Sequence, residues 1–172
     1  NEPVWSIYKD VKDFIWVGFK GNKNIYFGKE GSEFSELKLP ETFPGNPSRT
    51  VKNGVKSIFQ DANKSIWIGG NYSPYEINEK NGKYTLNENN IRIKTENGNG
   101  ESAKITTLDQ TVDGTFWIGT QQRGLRKSKG NGNPNNQIFE SHLNTDRVSA
   151  FLEESSGEIW VGTYTGLLLY NK

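Results

Sequence analysis

The chain lacks cysteine and methionine altogether and has one histidine, His142. Without a thiol there is no disulfide staple, no thiol nucleophile and no zinc–thiolate site. The lack of cysteine suits cytoplasm and periplasm alike, so it sets no compartment. An excess of one charge is missing too: 21 Lys and Arg face 20 Asp and Glu, a formal net charge of +1 over 172 residues. No strong field gathers nucleic acid or an anionic membrane surface, and neither is expected as a partner. No apolar run approaches the length of a membrane span, and none resembles a secretory leader. Apolar residues are scarce at 32%, with aromatic residues at 12%. Such a core must lean on a few large rings. Glycine is plentiful at 19 residues, and asparagine fills the polar stretches, a composition that suits short strands joined by turns. The chain opens on Asn1 with no initiator methionine, and reads as a mature or excised piece of something longer.

Four of the five tryptophans stand in one context: Ile15-Trp16-Val17-Gly18, Ile66-Trp67-Ile68-Gly69, Phe116-Trp117-Ile118-Gly119 and Ile159-Trp160-Val161-Gly162. The intervals between them are 51, 50 and 43 residues. Other offsets agree. Twelve residues before each tryptophan stands Val4, Val55, Ile105 or Val148, and nine before stands Ile7, Ile58, Leu108 or Phe151. Six before stands Asp10, Asp61, Thr111 or Glu154. Agreement at so many fixed positions marks an internal repeat.

Each unit reads as a β-rich segment, a polar turn, the tryptophan strand and a third short strand; the first three units add a fourth. No segment sustains 3.6-residue apolar spacing, which disfavours a helical solenoid. The expected fold is all-β: four antiparallel, four-stranded β-propeller blades, the last without its outer strand. One propeller segment spans 1–172, with units at about 4–40, 55–87, 105–141 and 148–172. Fifteen strands leave an uncovered edge. A compact four-bladed ring, an open arc, or two arcs joined in a larger ring all remain open, and a portion of a larger propeller is favoured. Trp16, Trp67, Trp117 and Trp160, with Gly18, Gly69, Gly119 and Gly162, are assigned to the core between blades, since both faces of each blade need apolar cover.

These residues carry a family likeness. The pattern Val-x-Ser-Ile-x-x-Asp, a short turn, Ile-Trp-[Val/Ile]-Gly-Thr and Gly-Leu resembles the two-component regulator propeller repeat. Residues 105–129 and 148–171 follow it best; 55–70 and 4–19 fit in part, with Asp13 where the turn usually has glycine. The likeness implies the extracytoplasmic, periplasmic sensor region of a Bacteroidetes-type hybrid histidine kinase, detecting polysaccharide breakdown products. The kinase activity would then lie elsewhere in the parent protein.

Catalytic constellations are weak. Nucleophile elbows, phosphate-binding glycine loops and paired histidine ligands are missing, so no cofactor, metal or catalytic residue is expected. Glu153 and Glu154 are adjacent on a strand and point to opposite faces, which ill suits one glycosidic bond. Asp10, Asp61 and Glu154 read as turn caps. His142 reads as a surface or hydrogen-bonded residue. Arg123, Arg126, Lys127 and Lys129 read as a solvated edge. A ligand would meet the loops where inner strands begin, at 40–54, 87–103 and 141–147 and after each Trp-x-Gly. There Tyr72, Gln121, Arg123, Tyr164 and Arg147 offer rings, amides and guanidinium donors suited to an oligosaccharide. Three functions are weighed: a non-catalytic sensor; a protein-interaction scaffold, with further blades or a second copy joining at the open edges; and a propeller carbohydrate-active enzyme, which needs arginines or convergent carboxylates in the central funnel.

Overall fold

A computed structural model describes residues 2–21, 24–39, 42–43, 46–50, 54–70, 74–87, 93–94, 100–101, 104–128, 139–143 and 147–170, with backbone alone at 42–43, 46–50, 93–94, 100–101 and 140–142. All its regular elements are strands. Sheet one holds β1 (Val4–Lys9), β2 (Ile15–Phe19), β3 (Ile25–Gly28) and β4 (Ser35–Leu37). A hairpin of β5 (Thr42–Phe43) and β6 (Asn46–Thr50) follows. Sheet two holds β7 (Ser57–Gln60), β8 (Ile66–Gly69), β9 (Tyr75–Lys80) and β10 (Lys83–Leu86). A second hairpin pairs β11 (Ile93–Lys94) with β12 (Gly100–Glu101). Sheet three holds β13 (Ile105–Gln110), β14 (Phe116–Thr120), β15 (Leu125–Ser128) and β16 (Phe139–Leu143). Sheet four holds β17 (Val148–Glu153), β18 (Ile159–Thr163) and β19 (Gly166–Tyr170). The chain is all-β, in four antiparallel meanders of three or four strands. The two hairpins stand where the sequence suggests plain loops.

The tetrapeptide explains how the sheets stack. Alternate side chains of a strand face opposite ways. Trp16 therefore joins one core cluster with Ile66 and Ile68 of sheet two. Trp67, on the other face of β8, joins the next cluster with Phe116 and Ile118. Trp117 joins the third with Ile159 and Val161. Each layer takes its indole from one sheet and its aliphatic pair from the next. Rings thicken the first layer: Trp16 stacks on Phe27 at 4.8 Å and meets Tyr84 edge-on at 5.1 Å.

The recurring glycine has a matching role. A Cβ built on Gly18 would lie 2.7 Å from Val55 Cβ and 2.8 Å from its carbonyl oxygen. On Gly69 it would lie 2.7 Å from Ile105 Cγ2, and on Gly119 2.8 Å from Val148 Cγ1. Val55, just ahead of β7, Ile105 of β13 and Val148 of β17 thus seat in the hollow left by the previous sheet's glycine. Hydrogen bonds reinforce the same seams. The Ser6 hydroxyl donates to the Val55 carbonyl at 3.0 Å. The Val11 and Ala62 amides donate to the side-chain oxygens of Gln60 and Gln110, and the Val112 amide to the Glu153 carboxylate.

The residues six before each tryptophan, three acids and Thr111, do more than cap turns. Asp10 Oδ1 accepts from the amides of Lys12 and Phe14, while Oδ2 accepts from the Trp16 indole at 2.8 Å. Asp61 serves Ser65 and Trp67 in the same way. Thr111 accepts from Trp117 at 3.2 Å, and Glu154 from Trp160 at 2.6 Å. A buried indole N–H needs such a partner.

Candidate functional site

A cavity of about 530 Å³ opens where the inner strands begin. Trp5, Lys20, Gly21, Lys56, Lys104, Thr106, Gln121, Arg147 and Ser149 line it. Three repeat positions supply most of this lining. Eleven residues before each repeat tryptophan stand Trp5, Lys56, Thr106 and Ser149. In sheets one, three and four the pairing register slips here: Val4 to Ser6, Ile105 to Thr107 and Val148 to Ala150 straddle a β-bulge. A bulged residue is released from the ladder and its side chain re-aimed, here towards the cavity. Thirteen before the tryptophan stand Lys104 and Arg147, and four after stand Lys20 and Gln121.

Backbone bonds fix these last two sets together. The Lys20 amide donates to the Pro3 carbonyl at 2.8 Å, and the Gln121 amide to that of Lys104 at 2.9 Å. The Tyr164 amide donates to the Arg147 carbonyl at 3.1 Å. The frame therefore recurs in sheets one, three and four, while the side chains on it differ from sheet to sheet.

The electrostatics are one-sided. Four cations line the cavity, one from each sheet, and among the described residues no carboxylate does. Among the described residues none of the four makes an ion pair. Burial pushes the Lys56 ammonium below the usual lysine range, and Arg147 and Lys104 push the same way. Trp5 is 38% exposed. Its ring lies 5.3 Å from Lys56 Nζ and 5.9 Å from Lys20 Nζ.

Of the residues singled out in sequence, Gln121 and Arg147 line this cavity. Arg123 and Tyr164 are exposed and are not among its lining residues. Tyr72 lies outside the described residues, as do Lys129 and the side chain of His142. Trp16, Trp67 and Trp117 are buried, and Trp160 is half-buried. Sequence reasoning passed over Trp5, Lys56 and Lys104. The signal available was the fifth tryptophan, which stands outside the tetrapeptide and in register with Lys56. Arg126 is also corrected. It is buried rather than solvated, because β15 is flanked by β16 and forms no edge.

A second depression, of about 310 Å³, lies at the turn end, against Asp10, Lys12, Gln60, Lys64, Glu79 and Tyr84 among others. There Lys12 Nζ sits 2.7 Å from Glu79, and Asp10 is held by the Trp16 indole and two amides. Among the described residues no cluster of three His, Asp or Glu side chains could hold a metal ion, and no helix is long and apolar enough to cross a membrane.

The stacked sheets and their shared seam define β-propeller blades. Residues 142–165 match the family described as Two component regulator propeller, so the fourth unit carries that family's repeat. Solved structures share the fold. The extracellular domain of the putative one component system BT4673 from B. thetaiotaomicron superposes with a TM-score of 0.68 at 15% identity, covering 99% of this chain and 24% of that one. PorZ, a component of the type-IX secretion system of Porphyromonas gingivalis, superposes at 0.71 with 16% identity over 98% of this chain and 26% of that one. A virginiamycin B lyase from Staphylococcus aureus, crystallised inactive with quinupristin, superposes at 0.64 with 14% identity over 98% of this chain and 55% of that one. The chain thus spans about a quarter of the length of the first two. A comparison by sequence with curated proteins found no match.

Proposed function

We propose that this chain is a non-catalytic sensor segment of a two-component signalling receptor outside the cytoplasm, and that it binds an oligosaccharide in the cavity at the inner-strand starts. One observation carries the reading. One repeat position, eleven residues before each repeat tryptophan, presents a different side chain from each sheet to one concave space: Trp5, Lys56, Thr106 and Ser149. A frame that repeats while its side chains vary suits recognition. The match of 142–165 to the regulator propeller family supports the signalling role. Binding would act by favouring one of two packings against neighbouring domains. Among the described residues the cavity lining holds no pair of carboxylates, which weighs against glycoside hydrolysis there.

A thermal-shift screen with neutral and acidic oligosaccharides tests this. A ligand at 100 times its Kd adds about 2.7 kcal/mol, which is several degrees for a chain of this size. No rise across the panel overturns the reading. The scaffold reading is favoured by a different observation: the outer faces of sheets one and four expose Val4, Ile7, Leu152, Leu167 and Leu169.

A further inference from the structure

We propose that the central cavity takes an acidic sugar, a uronate or sulfated saccharide whose anionic group is held by Lys56, Lys104, Arg147 and Lys20 while a ring of the sugar lies on Trp5. This rests on the reading of the cavity as a ligand site and narrows the class of ligand. The whole chain carries a formal charge of only +1, yet among the described residues this one concave space gathers four cations and no acid. Like charges placed together repel, and here they come from four separate sheets. The folded state accepts that cost without a counter-charge among the described residues. An anion entering the cavity removes the repulsion and gains charge-assisted hydrogen bonds, and the Arg147 guanidinium can grip a carboxylate or sulfate with two donors.

The exposed indole supplies the other half. Trp5 is neither in the repeat tetrapeptide nor buried with it, and its bulge aims it into the same space. A free inorganic anion gains little from an indole, whereas the apolar face of a sugar ring stacks on one. The depression of the Lys56 ammonium supports the geometry, since a desolvated cation beside two others is a poor resident without a ligand.

Isothermal titration calorimetry on the whole chain separates the cases. The acidic probes are tetragalacturonate and tetrasaccharides of heparin and chondroitin sulfate. The neutral probes are maltotetraose and cellotetraose, and sodium sulfate and phosphate serve as free anions. At least one acidic tetrasaccharide should bind, at least tenfold more tightly than either neutral one, and its affinity should fall as sodium chloride rises. Lys104→Gln and Arg147→Gln should each weaken it about tenfold. Trp5→Ala should weaken the tetrasaccharide and leave any sulfate binding unchanged. Melting curves confirm that each variant folds. Equal binding of a neutral tetrasaccharide, lost in Trp5→Ala, overturns the charge preference and leaves the sensor reading standing. Binding of sulfate or phosphate alone, with no acidic sugar bound, overturns the sugar. Silence from every probe overturns both.

Discussion

Gly18 faces Val55 with no room for a methyl group, while the nearest atom to a Cβ on Gly162 would be Ser149 Oγ, at 3.3 Å. Gly18→Ala must therefore push the Val55 backbone outward, and should cost about 2–3 kcal/mol, within the usual range for overpacking. Gly162→Ala should be close to neutral. Urea unfolding of both variants checks the pair; equal losses would show that backbone freedom matters here, not the seat for the next sheet. The seat was only half legible in sequence. The recurring glycine announced close approach, but not what approached. The approaching residue lies 36 or 37 positions later for Gly18 and Gly69 and 29 for Gly119, a separation too large for local patterning to reveal. The indole bond to Asp10 was hidden for a simpler reason. A carboxylate before a turn already has a sufficient local explanation, so its second oxygen drew no further account.

At the scale of one element, the turns between inner and tryptophan strands are informative. Gly114 and Gly157 take φ of 84° and 87°, where glycine is at ease, but the same position in sheet two is Lys64 at φ 69°. A side chain there crowds its own backbone. Lys64→Gly should raise stability by about 0.5–1 kcal/mol, or roughly 1–4 °C in Tm. Differential scanning calorimetry measures it, and a lower Tm would mean that the freedom glycine adds to the unfolded chain outweighs the strain relieved. Strand order within each sheet was readable because period-two patterning is strong in Ile-Trp-Val-Gly. The hairpins β5–β6 and β11–β12 were not readable. Their strands are two to five residues long, too short for alternation to rise above the polar background. The burial of Arg126 was lost similarly: a run of basic residues reads as surface unless the strand outside it is already known.

Across the whole molecule, the two end sheets show what the middle ones hide. Ile7 is 69% exposed, whereas Leu108, at the same repeat position, is 4% exposed. Leu167 is 65% exposed, whereas Leu125 is fully buried. The face of sheet one and the face of sheet four are the two halves of the seam used three times inside the chain. Such halves attract each other between copies, head to tail. Light scattering should therefore show association that grows with concentration, and Ile7→Lys or Leu167→Lys alone should abolish it, since each seam needs both faces. A strictly monomeric wild-type chain at high concentration would sink this expectation. The blade count followed from the repeat. The cavity followed only in part: its place at the inner-strand starts, with Gln121 and Arg147, is legible, but three bulges aim the rest of its lining, and a bulge leaves no mark in a single sequence.

The tetrapeptide has a consequence for inheritance. Its indole faces the following sheet and its aliphatic pair faces the preceding one, so one unit carries both a lock and the key to a lock of the same make. Copying a unit copies both together, and the newcomer fits between any two existing units without fresh adaptation at either side. Selection is then left free to act on the residues that touch no seam. In this chain they include cavity side chains such as Lys104 and Arg147, though not Thr106, whose hydroxyl donates to the Val148 carbonyl across a seam.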